Sequence, residues 1–573
     1  VAVFRRGITY LQAHLLSLVC ALALASLALT PSLVPRPTVF QGFLAGFWFM
    51  VGFQIGYALR ELWRMTARRV RRATPQPESE HPRAPHRSTP WVPPLIALVL
   101  LAYVIGYGLL VASWQNRVRE LVDMPPVDGV GHARFFASML VIMGVLYGIS
   151  RGIGALRRFV AERVSTAGGS AGAARRASRA TGAAAVVVLV AGLAGAGLAA
   201  VGTIYAARDA DTLAGSVQPV LPTRSGSPES AVGWDQLGRQ GRAFAGGGPS
   251  ASAIGQVTGS PAMEPVRVYA GLPAGQDAAA RADRVVRELE RAGGFEREVL
   301  LVATPTGSGW LEPQAIAALE YLYGGDTATA SMQYSFQPSW VSFLFSPDLA
   351  AESSEALFDA VHARWQELPA AQRPKLAVYG LSLGAHGMQG SFENLDDLRS
   401  RTDAALFTGP PSNSQPWRTL QDNRDAGSPV WQPIYRQGRE VRWQSKPGDF
   451  AAVAGDWEQP RVGYLQHATD PITWLDPAVI YQRPEWLAGP AAAGGRGADV
   501  SDSMRWIPGV TFLHLTTDML VSEAVPPSHG HNFGDVAVDG WAQVLPGHGR
   551  SDAQLASIQA VIETINTHDP IWE

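Results

Sequence analysis

Lys375-Leu-Ala-Val-Tyr-Gly-Leu-Ser-Leu-Gly-Ala-His386 reads as an apolar strand that runs through Gly380-Leu381-Ser382-Leu383-Gly384 into a helix of small residues. That order is the pattern of a nucleophile elbow, in which the serine sits on a strained turn and a side chain at either glycine would strike the neighbouring strand or helix. Such a turn holds the Ser382 hydroxyl out for attack, with the N-terminus of the next helix behind it. The pentapeptide alone decides little. With 59 glycines in 573 residues a chance match is expected, and Gly168-Gly-Ser-Ala-Gly172 is one, in an arginine-rich stretch with no strand before it. Context selects Ser382.

Outward from the elbow, residues 265–573 alternate between short apolar runs and amphipathic ones, as expected of a mainly parallel sheet covered on both faces. Strands are predicted near residues 266–271, 299–303, 330–336, 376–379, 404–407, 462–465 and 510–515, and helices near 278–292, 312–323, 354–368 and 551–566. A serine nucleophile needs a base, an orienting acid and donors for the oxyanion. Gln466-His-Ala-Thr-Asp-Pro471 follows the late strand 462–465 and makes Asp470 the candidate acid, with Asp518 its competitor after the next predicted strand. Farther on, Ser528-His-Gly-His-Asn-Phe533 offers the base; His531, which follows a glycine, ranks before His529, and His548 is third. The backbone N–H of Leu383 is one expected oxyanion donor, and the loop Thr306-Gly307-Ser308-Gly309 after strand 299–303 is expected to give the second. A metal set of His529, His531 and Asp535 has too few ligands to be preferred, and no cofactor is implied. Residues 409–460 leave the alternation, carry Trp417, Trp431, Tyr435, Trp443 and Trp457, and read as a cap where an apolar acyl chain meets polar groups.

The N-terminal third obeys a different solvent. Apolar stretches near residues 11–29, 39–59, 92–112, 135–149 and 183–205 have the length of membrane spans, the fourth being the shortest. Arg60, Arg64, Arg68, Arg69, Arg71, Arg72, Arg83 and Arg87 follow the second, and Arg151, Arg157, Arg158, Arg163, Arg175, Arg176 and Arg179 follow the fourth. Basic loops are retained in the cytoplasm, as are Arg5 and Arg6 at the N-terminus, so about five spans deliver everything after residue 206 to the extracytoplasmic face. A cleaved signal peptide is the alternative for the first stretch, but Pro31 and Pro35 follow it rather than a cleavage site. Cys20, the one cysteine, lies in that stretch and leaves the outer domain without a disulfide. Gly192, Ala196 and Ala200 share a face of the last span, suited to packing within the bundle or between copies in a homo-oligomer. Residues 206–264, rich in Gly, Ser, Pro and Ala, read as a linker with an amphipathic island at residues 234–242. The net charge of −2 gives no nucleic-acid footprint, and Lys375 and Lys446 as the only lysines among 47 basic residues suggest a GC-rich bacterial genome.

Thr30-Pro-Ser-Leu-Val-Pro-Arg36, Trp234-Asp-Gln-Leu-Gly-Arg-Gln-Gly-Arg242, Arg267-Val-Tyr-Ala-Gly271, Thr306-Gly-Ser-Gly-Trp310, the elbow, Leu465-Gln-His-Ala-Thr-Asp470 and His529-Gly-His-Asn-Phe533 together resemble a family of bacterial, chiefly actinobacterial, membrane-anchored α/β-hydrolases with an N-terminal multi-span domain. The resemblance implies an α-helical transmembrane bundle over residues 1–205 and an α/β-hydrolase domain over 265–573. It also implies an esterase or lipase-like serine hydrolase. The expected partner is an acyl ester of an envelope lipid or glycolipid at the bacterial inner membrane. An acyltransferase using the same acyl-serine, and a noncatalytic scaffold or lipid-transfer component, are the alternatives.

Overall fold

The computed structural model describes residues 2–73, 91–275, 277–489 and 495–565 and divides into two compact units, Val1–Gly195 and Ala196–Glu573. Arg83 and Arg87, counted above for orientation, lie outside the described residues.

The first unit is built of α1 (Ala2–Ala28), α2 (Thr38–Ala73), α3 (Val92–Leu121), α4 (Gly129–Thr166) and α5 (Ala171–Ala210), the last continuing into the second unit. Among the described residues four segments are long and apolar enough to cross a membrane, Thr38–Ala67, Pro94–Leu121, Gly129–Thr166 and Ala171–Ala210, while His14–Ala28 of α1 is a shorter apolar stretch. Four such helices are compatible with a membrane anchor. Glycines of α2 set its packing on two sides. A Cβ on Gly52 would lie 2.4 Å from the Cys20 carbonyl oxygen of α1, and one on Gly42 would lie 2.2 Å from the Phe135 carbonyl oxygen of α4. Gly56 and Gly46 repeat these approaches one turn on, so two small-xxx-small pairs let three backbones meet. The second Gly-x-Ser-x-Gly match falls at the turn between α4 and α5, with no strand before it.

The second unit is a seven-stranded sheet: β1 (Val266–Ala270), β2 (Val299–Thr304), β3 (Thr327–Met332), β4 (Lys375–Leu381), β5 (Ala404–Thr408), β6 (Val441–Gln444) and β7 (Arg461–Leu465). Their spatial order is β1-β3-β2-β4-β5-β7-β6, and every pair is parallel. The strands are buried almost throughout, which explains why the central ones, β2, β4 and β5, read as continuous apolar runs rather than alternating ones. Between β2 and β4 the order reverses, and a crevice at such a reversal, beyond the carboxyl ends of the strands, is where open α/β sheets bind ligands.

Ahead of β1, residues 224–258 fold onto the sheet. Two short helices form there, α6 (Gly238–Gly246), from the amphipathic island, and α7 (Ala251–Thr258). The Arg267 guanidinium of β1 donates to both Glu320 carboxylate oxygens at 2.7 Å and to the Phe244 carbonyl of α6 at 2.9 Å. This pair is almost wholly buried, so removing either partner would strand a charge at a cost of about 3–5 kcal/mol.

Helices α8 (Ala278–Arg291), α9 (Pro313–Leu322), α10 (Ser339–Phe345) and α11 (Asp348–Glu367) fill the connections up to β4. After it come α12 (Leu383–Gly390), α13 (Leu395–Arg401), α14 (Trp417–Asp422) and α15 (Asp449–Ala452), then α16 (Pro471–Trp474), α17 (Val510–Met519), α18 (Ala537–Val544) and α19 (Asp552–Ile562).

Two expectations are corrected. Residues 510–515 are the start of α17, not a strand: Thr511, His514, Leu515 and Asp518 are its buried positions, a helical spacing that the run of apolar and β-branched residues conceals. Part of the segment expected as a cap is sheet, because residues 441–444 are edge strand β6 and Trp443 stacks on Tyr464 of β7 with ring centroids 5.2 Å apart. Trp417 and Trp457 are also buried.

Candidate functional site

Ser382 stands at the N-terminus of α12 with φ 55° and ψ −124°, a conformation costly for any residue with a side chain. The flanking glycines make it possible. A Cβ on Gly380 would lie 2.4 Å from the Gly384 carbonyl oxygen, and one on Gly384 would lie 2.3 Å from that of Thr304 at the end of β2. The Ser382 N–H donates to the Thr408 carbonyl of β5 at 2.8 Å, which fixes the turn between two central strands.

Asp470 follows β7 and is fully buried. Its carboxylate accepts the Ile472 N–H at 2.9 Å, the Thr473 hydroxyl at 3.1 Å and the Nδ1–H of His531 at 2.8 Å. The opposite ring nitrogen of His531, Nε2, is buried without a hydrogen-bond partner. Burial works against charge on this imidazole, but the Asp470 carboxylate beside it, with Glu523 and Glu312 farther off, raises its pKa above the ordinary 6.5.

Gly409 seats the histidine against the end of β5. It is the next residue after the Leu381–Thr408 pairing of β4 and β5, so it lies level with Ser382. Its φ is +50°, and a Cβ on it would lie 2.5 Å from Cε1 of His531. Ser382 and the bonded His531–Asp470 pair therefore lie at the same, carboxyl, end of the sheet, on the loops after β4, α17 and β7. Residues 266–558 match the model of an alpha/beta-hydrolase family, and residues 29–249 match the N-terminal region of that family.

The chain belongs to this alpha/beta-hydrolase family. No curated protein matches it.

The hydrolase places the other candidates apart from His531 and Asp470. The Nδ1 of His529 is 3.2 Å from Asp499, a residue that sequence reasoning missed. Asp499 also accepts the Thr469 hydroxyl at 3.0 Å, and that hydroxyl accepts the Gly530 N–H. Although burial opposes its charge, the Asp499 carboxyl is held below the usual carboxylate range by His529, His467 and Thr469. His467 stacks on Phe533 at 4.2 Å and its Nδ1 meets the Gly530 carbonyl at 3.0 Å. The layer of His467, Thr469 and Asp499 thus fastens the histidine loop on both sides of Gly530. Asp535 binds the Ser528 hydroxyl and N–H rather than either histidine. Asp518 is buried on α17, and His548 accepts the Arg550 N–H in the loop near Lys375, the residue at the opposite end of β4 from Ser382.

The expected oxyanion donors divide. Leu383 is the first residue of α12, so its N–H has no carbonyl four residues back within the helix. The Thr306 N–H donates to the Trp310 carbonyl at 2.9 Å and the Gly307 N–H to the Ser339 hydroxyl at 3.2 Å, so in this structure neither is presented to a ligand. The tight turn of the loop takes the first, and the packing of α10 against the loop takes the second.

Glu312, at the start of α9, is the other residue missed. It is fully enclosed, hydrogen bonded to the Tyr379 hydroxyl, and burial pushes its pKa up to about 7 despite that bond and the nearby His531. Nothing in the run Trp310-Leu-Glu-Pro313 marks a buried carboxyl; only the fold carries it under β4.

Proposed function

We propose that this chain is a membrane-anchored serine hydrolase, esterase or lipase-like, acting on acyl esters of a lipid or glycolipid of the bacterial envelope. The observation that supports it is the buried, unpartnered Nε2 of His531, with Nδ1 fixed by Asp470 and the ring set against Gly409 level with Ser382. In this reading His531 takes the Ser382 proton as the hydroxyl attacks the ester carbonyl, then gives it to the departing alcohol. Water, deprotonated by the same nitrogen, cleaves the acyl-serine. The Leu383 N–H serves the oxyanion, and movement of Gly307 away from Ser339 on substrate binding supplies the second donor. The long apolar helices and the arginine-rich loops support placement of the hydrolase outside the cytoplasmic membrane, beside its substrate.

A fluorophosphonate probe tests the chemistry. Labelling of the wild type that disappears in Ser382→Ala is the expected result; no labelling of wild type would favour a scaffold with a hydrolase fold. Adding a sugar acceptor and analysing products separates hydrolysis from acyl transfer.

A further inference from the structure

The rim of the site carries exposed apolar side chains on two sides. On one, α10 lies against the loop after β2: the Ser339 hydroxyl accepts the Gly307 N–H, and a Cβ on Gly307 would be 2.7 Å from the Ser339 Cα. Phe343 turns inward onto Tyr334, Ala350 and Leu383, the residue next to the nucleophile. Leu344, Phe345 and Leu349 turn outward and are 51%, 60% and 43% exposed. On the other side, Leu513 of α17 and Leu520, the residue that caps its C-terminus, are 44% and 40% exposed, and Tyr481, which directly follows the turn that α17 packs on, is 74% exposed. From α17 the chain runs directly to the histidine loop, where the His531 N–H donates to the Ser522 carbonyl at 2.9 Å.

Composition and position say what covers this rim. Residues 335–347, Ser-Phe-Gln-Pro-Ser-Trp-Val-Ser-Phe-Leu-Phe-Ser-Pro, contain no charged side chain and are rich in aromatics, the composition of a segment at the boundary of lipid and water. Phe336 and Ser308 line one cleft with Tyr205, Arg208 and Asp209, which belong to the last two turns of the apolar helix α5. A membrane helix ends where its apolar run gives way to such residues, so the start of the α10 segment is tied to the level of the bilayer surface. A protein partner would have to match the same apolar rim without blocking the way to Ser382, whereas lipid covers it and supplies the ester.

We propose that Leu344, Phe345 and Leu349 on one side, and Tyr481, Leu513 and Leu520 on the other, dip into the bilayer and let the hydrolase draw its acyl ester directly from the lipid phase. This rests on the membrane-anchored esterase reading above and adds the surface by which the substrate enters.

The test uses the full chain reconstituted in vesicles of phosphatidylcholine and phosphatidylglycerol. In a Cys20→Ser background, a fluorophore on Phe345→Cys should be quenched by doxyl-labelled phosphatidylcholine, and one on Glu367→Cys, at the far end of the 20-residue helix α11, should not. Absence of quenching at 345, or equal quenching at both, overturns the proposal whether or not the protein is an esterase. In parallel, Leu344→Gln with Phe345→Gln should lower turnover of a long-chain ester dissolved in the vesicles by about tenfold, while p-nitrophenyl acetate in solution is cleaved as before. Equal loss on both substrates, or no loss on either, also overturns it. If the wild type cleaves neither ester, the esterase reading fails and the quenching result alone decides the surface.

Discussion

The Nδ1–H of His531 donates to the Asp470 carboxylate at 2.8 Å, with both side chains buried, while Nε2 on the other edge of the ring is unpartnered. This bond fixes the tautomer: it leaves the lone pair on Nε2, the nitrogen that would act as base in the proposed reaction. Asp470→Asn preserves shape but offers an amide that can turn its N–H toward Nδ1, stabilising the wrong tautomer. Turnover of a soluble ester should fall by about three to four orders of magnitude with the fold intact. His531→Ala should lose as much, and His529→Ala much less, because His529 bonds to Asp499 instead. Steady-state kinetics with circular dichroism of each variant checks this; near-normal turnover in Asp470→Asn would remove it from the reaction.

The pH profile follows from the same pair. In the proposed reaction His531 must be neutral to accept the serine proton, and its pKa is raised above 6.5 by the carboxylates around it. The acid limb of kcat/KM should therefore have its midpoint above 6.5, and the residual activity of Asp470→Asn should show a lower midpoint. A wild-type midpoint at or below 6.5 would contradict the pairing.

Glu312 links pH to stability with the opposite sign to a salt-bridged carboxylate. Its folded pKa, about 7, lies above the ordinary 4.5, so the folded state binds the extra proton between these values and stability falls as pH rises through that window. The loss by pH 8 is on the order of 3 kcal/mol. Glu312→Gln should flatten this slope and also lower the acid-limb midpoint of His531, which no longer faces a nearby negative charge above pH 7. Thermal unfolding at pH 5 and pH 8 reads the first effect and the kinetic profile the second.

What could be read from sequence was local, and what could not was set by distant neighbours. The elbow was legible because a tight strand-to-helix turn demands small residues at fixed spacing, here Gly380 and Gly384. Strand β6 was hidden: Val441-Arg-Trp-Gln444 looks polar, yet Arg442 is buried and satisfied by the carbonyls of Gly438, Phe450 and Gly455. Helix α17 passed for a strand because periodicity is blurred in an apolar run that ends in Thr516, Thr517 and Asp518. Glu312 and Asp499 meet residues far away in the chain, and only the fold brings the first near His531 and the second to His529.

Gly409 gives the sharpest test of how the site is assembled. It sits after β5, level with Ser382, at φ +50°, where a Cβ would press on His531 at 2.5 Å from Cε1 and 2.8 Å from Nδ1. Gly409→Ala adds a left-handed strain of about 1–2 kcal/mol, which a domain of this size can absorb. The ring cannot absorb the contact without leaving Asp470, since it is fully enclosed and Phe533 stands 2.9 Å from the same Cβ position. Misplacing a base by about 1 Å costs on the order of a hundredfold in rate. The variant should therefore remain folded, with a melting temperature lowered by a few degrees, and lose turnover at least about a hundredfold while KM for a short soluble ester changes little. Normal turnover in a folded Gly409→Ala protein would mean that His531 does not work from the position described.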